Sequence, residues 1–183
     1  MISKGKSWIM TPDDINLPVN VSVAGTRAHT DITIDQAKIY GLVRSLPLSM
    51  DMALYENLKT VFAPEFTSDY TSVFGGEPLR ATPEKLIAQW HELVPGFDAT
   101  WHEVWDIQAT VDGNKATGRA NMRASHWADQ VFWQMWGEYN WQLEKIDGQW
   151  KILHHKFIFD SEVGDRNVLR RAGEIGAERF RQG

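Results

Sequence analysis

The sequence predicts an α+β domain, helices first and a long antiparallel meander after them, and three observations carry that reading. Apolar residues recur at three- and four-residue spacing from about residue 34 to residue 93. After Gly96 the period changes to two and stays there for some sixty residues. Within that stretch Asp112-Gly113-Asn114 and Asp147-Gly148 supply turn chemistry suited to hairpins.

The elements follow in order. Residues 1–31 read as an arm, with Pro12, Pro18 and Gly25 and an alternation of Val19, Val21 and Val23 that suits an edge strand. A single domain then covers 32–183. Its first helix starts near Asp31, carries Ile34, Ala37, Ile39, Leu42, Val43 and Leu46, and is expected to stop at Pro47. A second helix places Leu54, Leu58, Val61 and Phe62 on one face and closes at Ala63-Pro64. A third, opened by Thr82-Pro83-Glu84, carries Leu86, Ile87, Trp90 and Leu93 and ends at Pro95-Gly96. Four strands are expected at roughly 99–111, 115–127, 130–145 and 149–160, with the join near Trp127-Ala128-Asp129-Gln130 undefined. A last helix spans about 165–181. A curled sheet wrapped by three or four helices makes a cone with one open mouth, an architecture that holds small molecules.

Composition narrows the function. The chain has 183 residues, 43% hydrophobic and 23% charged, which suits a globular domain with a real core. Its 19 Lys and Arg against 24 Asp and Glu, with no basic cluster longer than Arg170-Arg171, argue against a nucleic-acid partner. No cysteine occurs, so disulfides, thiolate metal sites and a cysteine nucleophile are excluded. No apolar run approaches the roughly 20 residues that span a bilayer, and MISKGKSWIMTPDD lacks the apolar stretch of a signal peptide. A cytoplasmic protein without a membrane partner is the expectation. Nine tryptophans are an unusual number, six of them between Trp101 and Trp141; they suit either a core or subunit interface or a pocket for a flat, partly unsaturated ligand.

Strand alternation sorts the histidines. His102 shares a face with Thr100, Val104 and Asp106. His126 shares one with Ala120, Met122 and Ala124, while Arg119, Asn121, Arg123 and Ser125 point the other way. Each histidine suits a satisfied core or rim position or a catalytic one; two on paired strands, both turned inward, favour chemistry. Asp51 reads either as a helix N-cap or as a carboxylate that fixes an imidazole tautomer. Tyr70, in Ser68-Asp69-Tyr70, reads as a half-buried aromatic or as a hydroxyl that polarises a carbonyl. No Gly-x-Ser-x-Gly elbow and no phosphate loop are present. His154 and His155 fall on opposite sides of a strand and cannot chelate together, so no metal site is expected.

These residues resemble the scytalone dehydratase and SnoaL-like families of the nuclear-transport-factor-2-like superfamily. Met50-Asp51, Val61-Phe62-Ala63-Pro64 and Ser68-Asp69-Tyr70 are similar to that family's aspartate, its apolar-Ala-Pro turn and its Asp-Tyr pair. Thr100-Trp101-His102 falls where the family has its catalytic histidine, His126 where it has a second one, and Glu144 to Ile152 on its last hairpin. The resemblance covers about 35–160. It implies a cofactor-independent dehydratase acting on a small, flat carbonyl or polycyclic, aromatic-like metabolite of secondary metabolism. Its catalytic groups would be His102, Asp51, His126 and Tyr70. An isomerase or cyclase using the same dyad, or a non-catalytic binding or assembly module, are the alternatives.

The chain departs from the pattern at several places. The family's second tyrosine, before its aspartate, is Met50 here, and its Ser and Asn correspond to Gly137 and Tyr139, which argues against scytalone itself as substrate. The dehydrochlorinase branch's lysine falls at Leu46 and its arginine near His155. The expected substrate-binding residues are Tyr139, His155, Met122, Trp133, Met50 and Phe74. A homo-oligomer is expected, a trimer before a dimer, because Trp101, Glu103 and Trp105 share an outward face with Arg119, Asn121 and Arg123, and related dehydratases pack through that side of the sheet.

Overall fold

A computed structural model describes residues 33–182; the arm and its Val19–Val23 strand lie outside the described residues. The first helix, α1 (Ile34–Asp51), opens with a reciprocal capping box between Thr33 and Gln36 and buries Ile39, Val43 and Leu46. It does not stop at Pro47. The proline lacks one N–H, which deprives only the Val43 carbonyl of its helical partner. Burial on both sides of that gap carries the helix to Asp51.

The second expected helix is largely replaced. A 3-10 turn (Tyr55–Asn57) and a single turn, α2 (Leu58–Val61), run straight into a strand, β1 (Phe62–Asp69). Ala63-Pro64 therefore lies in a strand rather than closing a helix. Pro64 is tolerated because β1 pairs with the last strand at Phe62 and again only from Thr67, and the proline sits in the gap. A short helix α3 (Thr71–Phe74), a three-residue strand β2 (Leu79–Ala81) and α4 (Pro83–Leu93) follow. As the Thr82-Pro83-Glu84 sequence implies, Thr82 caps α4 with Pro83 in its first turn. A 3-10 turn (Val94–Gly96) leads to the meander: β3 (Ala99–Asp112), β4 (Lys115–Ala128), β5 (Val131–Ile146) and β6 (Gln149–Gly164), then α5 (Asn167–Gln182).

The sheet is six-stranded and mixed, in the order β2-β1-β6-β5-β4-β3, with β1 parallel to β6 and every other pair antiparallel. All three meander joints are two-residue turns. The undefined one is Asp129-Gln130, with φ of 49° and 66°, left-handed at both positions like the hairpin turns that usually take Asn-Gly. The inward faces of β4, β5 and β6 supply most of the core, with Ala120, Met122, Ala124, Trp133, Trp141, Ile152 and Phe157 all nearly or fully buried.

Bulges change which side chains face inward. Between Trp105 and Gln108 the β3–β4 register slips and Asp106 takes φ 52°. Asp106, expected beside His102, turns outward and accepts a hydrogen bond from Asn121. On β6 the register slips between Ile152 and His154. The inward row Trp150, Ile152 therefore continues as His155, Phe157.

The C-terminal helix docks by backbone. A Cβ at Gly96 would lie 1.8 Å from the Ala172 carbonyl oxygen, and one at Gly176 would lie 2.0 Å from that of Glu92. Gly96→Ala is expected to push α5 away and to lower stability by about 1–3 kcal/mol, the usual cost of overpacking, read as a fall in the urea midpoint with an unchanged slope.

Candidate active site

The centre of the site is a clasp between α1 and β3. Asp51, the last residue of α1, receives three hydrogen bonds. Its Oδ1 accepts from the Thr100 hydroxyl at 2.7 Å and lies 2.6 Å from His102 Nδ1; its Oδ2 accepts from the His102 backbone N–H at 2.7 Å. Asp51 is thus not an N-cap. Burial alone would raise its pKa, but the His102 ring, the Thr100 hydroxyl and the His102 backbone N–H outweigh that and hold the carboxyl below its ordinary value. A carboxylate only accepts, so His102 Nδ1 carries a proton, and in the neutral ring the lone pair is on Nε2. His102 borders a cavity of about 350 Å³, whereas Asp51 stands behind the ring and does not line it.

Around that cavity the structure gathers Met50, Tyr70, Phe74, His126, Trp133, Tyr139 and His155 with His102. Met122 is the exception among the expected ligand contacts. It faces inward but is fully buried in the core, opposite Gly137, where a Cβ would come within 2.5 Å of the Phe157 ring. That part of the sheet is solid packing, and Met122 is part of it.

His126 is 4% exposed, with its ring 5.1 Å from His102 edge-to-face and 5.4 Å from Trp133 in a stack. Its Nδ1 is buried without a hydrogen-bond partner. A bare lone pair is less costly to bury than an N–H, so the proton belongs on Nε2 as a donor. Burial, and then the neighbouring His102, lower its pKa to about 3, so the ring is neutral at ordinary pH. His155 is likewise lowered to about 3 by burial and by His154. Burial pushes Tyr70 up to about 12, eased by a hydrogen bond from Tyr139, and carries Tyr139 well above the phenol range. Among the described residues the wall contains one carboxylate, Glu77, and neither Lys nor Arg. An anionic ligand would find no counter-charge there.

Sequence reasoning missed two polar residues. Thr100 had been placed on the correct face without its bond to Asp51. Trp141, whose indole N–H donates to His155 Nδ1 at 2.7 Å, went unremarked. Its signal was there: Trp133, Met135, Tyr139 and Trp141 share one parity on β5, and all are buried. Trp90 and Leu93, which the sequence places on a helix face, help to close the cavity, and so does Phe97, which no sequence signal marks. Among the described residues no group of three or more His, Cys, Asp or Glu is placed to hold a metal ion. No helix among them is long and apolar enough to cross a membrane.

A six-stranded mixed sheet with several helices, and a largely buried carboxylate–imidazole pair beside an aromatic-lined cavity, is an α+β arrangement of the NTF2-like fold. The sequence profile of the SnoaL-like domain matches residues 32–156, and the chain belongs to that family. Among solved structures, the Kfla4162 protein of Kribbella flavida is similar at 24% identity and TM-score 0.69, over 74% of this chain and 97% of that one. A protein of Novosphingobium aromaticivorans DSM 12444, provisionally named a scytalone dehydratase, is 19% identical with TM-score 0.63 over 73% and 89%. The hexachlorocyclohexane dehydrochlorinase LinA-type3 of Novosphingobium barchaimii LL02 is 15% identical with TM-score 0.61 over 72% and 90%. At these identities the likeness is one of fold. A search of curated protein sequences gives no match.

Proposed function

We propose that this chain is a cofactor-independent lyase, a dehydratase acting on a small, flat, uncharged carbonyl compound. The observation that carries the reading is the 2.6 Å contact between Asp51 and His102 Nδ1, which makes Nε2 the basic nitrogen of the neutral ring that borders the cavity. Nε2 removes a proton from the carbon next to the carbonyl, and the C–H electron pair moves into an enolate. Tyr70 and Tyr139, both on the cavity wall, stabilise the enolate oxygen by hydrogen bonding. The enolate then expels a β-hydroxyl, which takes the proton held by His102 and leaves as water, returning the ring to its starting state. Neutral His126 donates from Nε2 toward the departing oxygen. The dehydratase and dehydrochlorinase names among proteins of similar fold are compatible with such an elimination. Trp133, Phe97 and Phe74 give the cavity aromatic surface for a flat ligand, and the missing Lys and Arg favour an uncharged one.

The first step is testable without the natural substrate. With 2-tetralone, a neutral bicyclic ketone, the protein is expected to accelerate exchange of the α-protons for deuterium in D₂O, followed by NMR. Bound ketone with no acceleration would replace the enzyme reading by that of a binding module. An isomerase or cyclase would share this step and would differ in releasing no water.

The proposed trimer fits the outer face of β3. Trp101 is 60% and Trp105 41% exposed there, with Met52 and Leu48 of the α1 end in the same groove. Glu103 and Arg123 pair with one another beside these apolar side chains, and a second copy of the same chain suits that surface. Sedimentation equilibrium at micromolar concentration is expected to give three times the monomer mass. A clean monomer would remove the proposal.

A further inference from the structure

On the cavity wall, beyond the dyad, lies a line of hydrogen bonds that the elimination does not itself explain. Indole N–H is a donor only, and Trp141 Nε1 lies 2.7 Å from His155 Nδ1, so Nδ1 is an acceptor. The neutral ring therefore carries its proton on Nε2, which is 2.9 Å from the Tyr70 hydroxyl oxygen. An imidazolium would set a second N–H against that of Trp141. His155 is 2% exposed, and its ring is 4.7 Å from that of Tyr139.

Trp141, His155 and Tyr70 hold three N–H or O–H protons, and two links join them: Trp141 to His155 and His155 to Tyr70. The Tyr70 hydroxyl proton is left over, and Tyr70 faces the cavity. With the opposite tautomer, Tyr70 would donate to His155. Its proton would be spent there, and its oxygen would offer the cavity only a lone pair.

We propose that His155, fixed as its Nε2–H tautomer by Trp141, is a positioning residue that makes the Tyr70 hydroxyl a hydrogen-bond donor toward a neutral acceptor oxygen in the cavity. Only the ligand's identity as a carbonyl rests on the function proposed above. Trp141 selects the tautomer, His155 fills the Tyr70 acceptor site, and Tyr70 donates its own proton to the ligand in a hydrogen bond. The device needs no ionised group, which suits a wall that buries its titratable residues.

Long-range ¹H–¹⁵N spectra of the ¹⁵N-labelled protein test the tautomer directly. His155 is expected to show Nε2–H without change from pH 8 to pH 5, and Trp141→Phe is expected to give a tautomer mixture that titrates. The infrared carbonyl stretch of bound 2-tetralone tests the donor. It is expected to fall on binding, to lose at least half of that shift in His155→Leu, and to regain it in His155→Gln, whose amide both accepts from Trp141 and donates to Tyr70. An Nδ1–H tautomer, titration of His155 between pH 5 and 8 in the unaltered protein, or a full carbonyl shift in His155→Leu would each overturn the proposal. If 2-tetralone does not bind the unaltered protein, the carbonyl reading fails, and the His155 spectra decide this proposal without it.

Discussion

Replacing His102 by alanine is expected to slow α-proton exchange of bound 2-tetralone by about 10²–10⁴, the usual contribution of a positioned general base, while ketone binding stays largely unchanged. In the proposed complex His102 would touch the ligand with one nitrogen, and the aromatic surface for a flat ring comes from other residues, Trp133, Phe97 and Phe74. Asp51→Asn is expected to slow exchange nearly as much, for a reason specific to this clasp. The carboxylate accepts from the His102 backbone N–H and from its ring at the same time. An amide has one acceptor oxygen, so one of those donors would meet an NH₂ group. If the oxygen stays with the backbone, the ring must turn Nδ1 into an acceptor and move its proton to Nε2, where the base should be. Exchange kinetics by NMR, with binding followed in parallel, check both variants. A His102→Ala protein that exchanges at near the original rate would make the dyad structural.

The second large effect is acid lability beginning well above the carboxylate range. His126 and His155 have folded-state pKa values of about 3 against an ordinary value of 6.5. Below pH 6.5 the unfolded chain takes up two protons that the folded chain refuses, so stability falls as the pH falls. Each unmatched proton is worth about 1.4 kcal/mol per pH unit, so the pair makes the slope approach about 2.7 kcal/mol per pH unit between roughly pH 5.5 and 4. Asp51 adds to the loss only lower down, because its depressed pKa stabilises the fold above its unfolded value of 3.8 and that contribution goes as it is protonated. Urea unfolding at a series of pH values checks this. His155→Gln is expected to remove about half of the slope between pH 5.5 and 4.

The meander was legible because its signals are local. Glycine-bearing turns mark two joints, and period-two alternation places His102 and His126 on the inward side without any knowledge of pairing. What was hidden depends on partners distant in the chain. Phe62-Ala63-Pro64, the start of β1, reads as a helix end because Phe62 completes a helical face and Pro64 looks like a terminator. It becomes a strand by pairing with β6, some 85 residues away in the chain. Asp129-Gln130 carries no glycine, and its left-handed backbone is imposed by the strands on either side. Bulges account for the misplaced faces. One turned Asp106 outward, and one brought His155 inward where unbroken alternation from Trp150 and Ile152 would have brought His154. The dyad was reachable through the family resemblance, since Asp51 and His102 are far apart in the chain and nothing local links them. The neutral state of the histidines follows from burial, which only the packed structure supplies.

The clasp on Asp51 has a consequence for how variation in this protein can be interpreted. The same carboxylate that orients the His102 ring also fastens the end of α1 to the β3 backbone and to Thr100. A substitution there loosens a helix as well as disarming a base, so a survey scored by cellular abundance would rank Asp51 with the core. Substitution of His102 keeps the backbone N–H that holds Asp51, so it would cost less abundance than substitution of Asp51. Abundance and activity would thus report the two halves of one dyad as different kinds of residue. A lineage that abandoned the chemistry would be expected to lose the histidine first and to keep the aspartate, leaving an acidic helix end as the trace of the former function.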